Sequence, residues 1–224
     1  MLLKSSLIGF FAALGFATAA HATPLNFELT QFTGASSRVH ILVEQQDANT
    51  LRFTLTEPVH AGEIQGELRA FYFNVANESI LSALSISGSF ISATAKSANN
   101  VTEVGGSDTT LDGGGGIAHP FDVGIAFGTA GSDGFVYSTV FTIAYAGGLN
   151  LDTFFPQTAD AQLFGVRLKP FPNGSSSKLV CNAPCGSTSS SGGPDPQQED
   201  VPAPASLMLL GLGLAGLGLR RRWA

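Results

Sequence analysis

The chain has little charge. Only 12% of its 224 residues are Asp, Glu, Lys or Arg, about half the usual share. Seventeen acids outnumber eleven bases, for a formal charge of -6. Four of the bases, Lys4, Arg220, Arg221 and Arg222, stand at the two ends, while every acid lies between Glu28 and Asp200. The interior of the chain is therefore decidedly acidic, which excludes electrostatic binding of nucleic acid or of anionic lipid head groups. Tryptophan is nearly absent: Trp223, close to the C-terminus, is the only one. A sugar-stacking face in the body would have to use Tyr72, Tyr137 or Tyr145. No stretch between the ends holds a helical period for twelve residues, which argues against a helix bundle. The sequence has no Gly-x-Ser-x-Gly elbow, no His-x-x-x-His pair and no phosphate-binding loop, so none of those chemistries has its local signature.

Apolar residues, by contrast, make up 44% of the chain, with 27 Gly and 17 Phe. That is enough to build a core and excludes a disordered acidic chain. The N-terminal segment reads as an export signal. Lys4 supplies the positive region, Leu7 to Ala17 is an apolar run too short to span a bilayer, and Ala20-His21-Ala22 offers the small residues that a signal peptidase reads. Cleavage is expected after Ala22, with Ala17-Thr18-Ala19 as an alternative.

The C-terminal end has three parts in order. Val201-Pro202-Ala203-Pro204 is an extended tetrapeptide, Ala205 to Leu219 carries no charge, and Arg220, Arg221 and Arg222 follow. The uncharged segment has no polar face and predicts one transmembrane helix. At about 1.5 Å per residue it covers about 22 Å, short against a hydrocarbon core of about 30 Å. Snorkelling arginines and local thinning make such a span feasible, and the arginines should remain cytoplasmic. These three parts resemble the PEP-CTERM sorting signal of Gram-negative bacteria that make extracellular polysaccharide. Ala203 stands where that family most often has Glu. The resemblance implies an exosortase-type membrane protease that removes the tail after a transient stay in the inner membrane, and a body delivered to the cell surface or beyond.

Residues 23–180 form one expected domain. Leu25, Phe27 and Leu29 alternate with polar residues, as do Val39, Ile41 and Val43; Leu51, Phe53 and Leu55; Phe71, Phe73 and Val75; Phe121 to Phe127; and Phe164, Val166 and Leu168. Period two puts each apolar set on one face of a strand. Further strands are expected near Ile80–Ile86, Phe90–Ala93, Phe135–Tyr145 and Leu149–Asp152. The expected fold is all-β, an antiparallel β-sandwich of which a jelly-roll is one form, with Phe filling the space between two sheets. Residues 181–200, rich in Ser, Gly and Pro, read as a linker. Phe71-Tyr72-Phe73-Asn74-Val75, Phe121 to Gly128, Phe164 to Leu168 and Ser175 to Leu179 resemble pieces of the bodies that precede such tails. That resemblance brings no catalytic residue with it.

Cys181 and Cys185 are the only cysteines. An even count in an exported chain favours a disulfide, worth about 2 kcal/mol for so small a loop. Free or intermolecular thiols are the alternative. A metal would need two further ligands that no nearby residue supplies, and no cofactor is expected. Asp108, Asp112 and Asp133 sit in Gly-rich turns, where bonding to their own backbone competes with calcium binding. Glu63, Glu67, Glu78 and Asp122 are the carboxylates from which a glycosidase pair would have to come; His40, His60 and His119 are scattered. The leading expectation is a non-catalytic exported protein of the cell surface or extracellular matrix, not an enzyme. A carbohydrate-binding module for extracellular polysaccharide and a polysaccharide hydrolase are the alternatives.

Overall fold

Alternation in the sequence becomes alternation of burial along the strands. The computed structural model describes residues 22–58, 65–115, 117–128, 135–158, 161–169 and 174–182. The segment that ends at His21, with Ala20, lies outside them, as do Cys185, the linker from residue 183 and the whole tail. In β1 (Leu25–Gly34), β2 (Arg38–Asp47) and β3 (Thr50–Thr56) the buried positions recur every second residue. Leu29, Val39, Val43, Leu51, Phe53 and Leu55 have no exposed surface. The β2–β3 turn is set by Asp47, whose Oδ1 accepts the Asn49 N–H at 2.8 Å, an Asx turn that reverses the chain locally.

The remaining strands are β4 (Leu68–Phe73), β5 (Ser85–Gly88), β6 (Ile91–Val101), β7 (Phe121–Phe127), β8 (Ser138–Ala144), β9 (Gln162–Leu168) and β10 (Ser177–Asn182). All pairings are antiparallel, in the order β5-β8-β3-β2-β1-β10-β9-β4-β7-β6. The fold is thus all-β. In place of the two separate sheets expected, the ten strands form one sheet, because β1 pairs with β2 on one side and β10 on the other. A bulge in β1 between Gln31 and Thr33 bends it where the two halves join. The sheet curls almost into a barrel, and its end strands β5 and β6 are joined by the turn Ser89-Phe90.

Curling brings the inner faces of distant strands together. Phe53 on β3 stacks on Phe141 of its neighbour β8 at 5.0 Å and on Phe73 of β4, across the interior, at 5.9 Å. Phe71 stacks on Phe164 at 5.6 Å, and Phe155 meets Phe164 edge to face at 5.0 Å. Each buried ring contributes roughly 2–3 kcal/mol through area removed from water, and each well-placed ring pair about 0.5–1.5 kcal/mol more.

A second layer lies outside the sheet. Every residue of β4, β7 and β9 is buried, on both faces. The segment between β6 and β7 covers their outer face, packing Val104, Leu111 and Ile117 with Val101, Tyr72 and Phe121. Two glycines make room for it. A β-carbon at Gly165 would lie 2.4 Å from Leu111 Cδ1, and one at Gly124 would lie 2.9 Å from Tyr72 Cε1. The glycines of the two motifs around 124 and 165 thus serve close packing.

Three expectations about elements need correction. Glu78–Ala83 is a 3-10 helical turn rather than strand, because Asn77 Oδ1 accepts the Ser79 N–H at 3.1 Å and starts a turn. Leu151–Phe154 is a single helical turn, α1, started by Asn150 Oδ1 on the Asp152 N–H at 2.9 Å. The chain stays in the sheet past the expected boundary at 180, since β10 continues through Cys181 and Asn182 and pairs with β9. Among the described residues no helix is long and apolar enough to cross a membrane; the expected span 205–219 is not among them.

Candidate functional site

Two strand irregularities face each other across the last turn of β7. In the β4–β9 ladder, Leu68 pairs with Leu168 and Ala70 with Arg167, which leaves Arg69 as an extra residue. In the β6–β7 ladder, Ile91 pairs with Phe127 and Ala93 with Ala126, which leaves Ser92 extra. A bulge re-aims a side chain and twists its strand. Here both bulged residues line a groove of about 400 Å³ whose floor is Ala126 and Gly128. Gly105 to Thr109 form its opposite wall.

The wall is firmly held. Gly105 and Gly106 have positive φ, 75° and 139°, which lets the backbone double back where a side chain would be strained. Thr109 Oγ1 accepts the Val104 N–H at 3.0 Å and lies 2.7 Å from the Val104 carbonyl. Tyr72 Oη donates to the Thr109 carbonyl at 2.8 Å. Lys169 Nζ bonds Asp108 Oδ1 at 2.5 Å and holds that carboxyl below its usual range. Lys178 Nζ reaches the carbonyls of Asp112 and Gly113.

Charges at the groove are paired off. Arg69 Nη1 donates to Glu67 Oε1 at 3.1 Å, and both side chains are buried. Burial pushes the Glu67 carboxyl upward, against the attraction of Arg69. Removing either partner would strand a buried charge, at about 3–5 kcal/mol. The groove thus offers a ligand hydroxyl groups and backbone, together with Arg69 and Asp108, each already in an ion pair.

A second polar cluster lies at the start of β7. Asp122 is buried, its Oδ2 accepting the Val75 N–H at 2.9 Å and its Oδ1 the Asn99 N–H at 2.8 Å. Asn74 Oδ1 accepts the Asp122 N–H at 2.9 Å. Asn99 holds a φ of 49° and donates through Nδ2 to Glu78 Oε1 at 2.6 Å. Glu78 and Asp122 line one cavity of about 290 Å³. Glu67, the other carboxylate, is beside Gly128 at the far end of β7, about 20 Å away along a strand of seven residues. Of the candidate carboxylates, Glu78 and Asp122 thus share one cavity, Glu67 lies apart from them, and Glu63 lies outside the described residues.

The other expected residues are dispersed. Tyr72 is fully buried, so it is not available for sugar stacking. Tyr145 is half-buried after β8. Tyr137 is exposed and lies almost parallel to exposed Phe135, with ring centroids 5.8 Å apart. His40 is exposed and meets Glu28 Oε2 at 2.7 Å; the His119 carbonyl accepts from Gln162 Nε2 at 2.7 Å. Asp112 accepts from Thr102 Oγ1, ten residues earlier, at 2.9 Å. Cys181 is buried near the end of β10. The groove itself escaped the sequence reading, although a trace of it was present. Leu68 and Phe71 both face the core, and their spacing of three breaks the period of two at Arg69.

Comparison with curated proteins and with solved structures finds no match. A family model does match at the C-terminal end: residues 200–222, which include Val201–Pro204 and Arg220–Arg222, carry the PEP-CTERM protein-sorting motif.

Proposed function

We propose that the chain is an exported, non-catalytic protein of the cell surface or extracellular matrix. In this reading signal peptidase removes residues 1–22. Ala205–Leu219 then holds the precursor in the inner membrane until an exosortase-type protease releases the β-rich body. The match of residues 200–222 to the sorting motif carries this reading. The short uncharged segment and the three terminal arginines fit the same route. The Ser/Gly/Pro-rich linker gives the body clearance from the membrane. Cys181 and Cys185, joined as a disulfide, would tie off the end of β10. The test is an immunoblot of membrane and external fractions from the native host, with mass spectrometry of the C-terminus of the external protein. A released form that lacks the arginines is expected; full-length protein confined to the membrane overturns the reading.

A second reading is that the body binds carbohydrate. The stacked, exposed pair Phe135 and Tyr137 favours it, since flat rings in water present apolar faces to the C–H faces of sugars. Retention of the exported protein on extracellular polysaccharide from its host is expected, and free elution of the protein argues against it.

A further inference from the structure

We infer that the groove between the two bulges, with the aromatic rings at its rim, is a binding site for an uncharged polysaccharide chain. This inference rests on the carbohydrate-binding reading and assigns it a place and a ligand class. It starts from Phe90. That residue has a φ of 68° and is 51% exposed. A bulky side chain rarely occupies this left-handed region, and glycine would fill the turn without strain. The turn is anchored on both sides. The Phe90 carbonyl accepts the Gly128 N–H at 2.7 Å, and the Ser89 carbonyl accepts from Thr139 Oγ1 at 3.3 Å. The fold thus holds the backbone beneath an exposed ring in place at a conformational cost, a pattern found at functional sites.

Phe90 stands two residues before Ser92, which lines the groove. Its anchor, Gly128, is part of the groove floor. A β-carbon on Gly128 would lie 3.5 Å from Arg69 Nη1 and 3.6 Å from Val136 Cγ2. Val136 turns inward, so its neighbours Phe135 and Tyr137 turn outward as the exposed pair. Gly128, part of the groove floor, is therefore bonded to the turn that carries one exposed ring and lies beside the segment that carries the other two. Rings that cover sugar faces beside hydroxyls and backbone that meet sugar hydroxyls are the complement of a pyranose chain.

The charge pattern selects an uncharged chain. Among the described residues that line or flank the groove, Arg69 Nη1 already faces Glu67 and Lys169 Nζ already faces Asp108, which weakens the pull of either cation on a carboxylate or sulfate. Seventeen acids against seven bases between Glu28 and Asp200 repel a polyanion at longer range.

The experiment is affinity electrophoresis of the exported protein from its host, in gels containing a β-glucan, a galactomannan or dextran, with alginate as the polyanionic gel. Wild-type protein should be retarded by a neutral polysaccharide, equally at low and high salt. Phe90→Gly removes the ring and relieves the turn, so the variant should keep or raise its melting temperature and bind roughly tenfold more weakly. Tyr137→Ala should weaken binding by a similar factor. Neutral binding that both folded variants retain overturns the site and leaves the carbohydrate reading standing. Retardation by alginate alone overturns the ligand class. Retardation by none of the four overturns both the site and the carbohydrate reading.

Discussion

Tyr72 Oη and the Thr109 carbonyl meet at 2.8 Å beneath the outer layer. This bond ties the segment that walls the groove to strand β4. Tyr72 is fully buried and packs on Phe121 at 5.7 Å, so the phenol is held by sheet and covering layer together.

Tyr72→Phe should therefore cost about 1–2 kcal/mol by leaving a buried carbonyl without its donor, measured as a lower urea midpoint. The same site sets an alkaline limit. Burial raises the phenol above its ordinary value of 10.0. Below about pH 10 the phenol is protonated in both states and its contribution is complete. Above that the unfolded chain ionises while the folded one holds its proton, so stability falls as pH rises. Urea midpoints should drop between about pH 9 and pH 11, and by less in Tyr72→Phe. An equal drop in both would refute the assignment.

Phe53 joins the two halves of the curled sheet, with rings of Phe71, Phe73, Phe141 and Phe155 around it. Phe53→Ala should cost about 3–5 kcal/mol, a large part of a typical total of about 5–15 kcal/mol. Val140→Ala, at a residue 39% exposed on the same sheet, should change the denaturation midpoint little. Similar losses at both positions would contradict the packing.

Gly165→Ala tests the second layer. Its new methyl would meet Leu111 at 2.4 Å and the Phe121 ring at 2.8 Å, both of them buried. The expected cost is about 1–3 kcal/mol from overpacking. Gly174 has a φ of +76° but open space around it, so Gly174→Ala should cost only about 1 kcal/mol, from backbone strain. Calorimetry of the two variants separates crowding from conformation.

The tail allows two opposite outcomes. Replacing Arg220, Arg221 and Arg222 by Ser removes the charges that resist translocation. The precursor should then be lost from the membrane without processing. Replacing Pro202 and Pro204 by Ala lets helix continue out of the membrane and denies a protease extended backbone. Full-length precursor should accumulate in the membrane fraction on an immunoblot. Normal release of both variants would contradict the proposed route.

Much of the fold was legible in the chain. Val39, Ile41 and Val43 declare a buried strand face by spacing alone, and Phe53, Phe71 and Phe164 declare a Phe-filled interior. Period two is a local property, because successive side chains of any extended chain point to opposite sides. The helical turns at Glu78 and Leu151 were hidden for a local reason as well. In each, one Asn side chain outcompeted an apolar pattern too short to decide between strand and turn.

By itself the sequence determined strand content, the acidic and weakly charged body, and the tail at 200–222, whose parts lie in one continuous stretch. Tertiary structure alone decided that the strands make one curled sheet, because the pairing of β1 with β10 joins residues about 150 positions apart. It also decided the candidate site. Arg69, Ser92, Asp108 and Gly128 come from separate segments, and the turn at Phe90 is held to Gly128 by a backbone hydrogen bond. Nothing local distinguishes an exposed Phe at a rim from a buried one in the core. Burial and proximity are properties of the assembled surface, fixed by which strands pair and where a bulge turns a side chain outward.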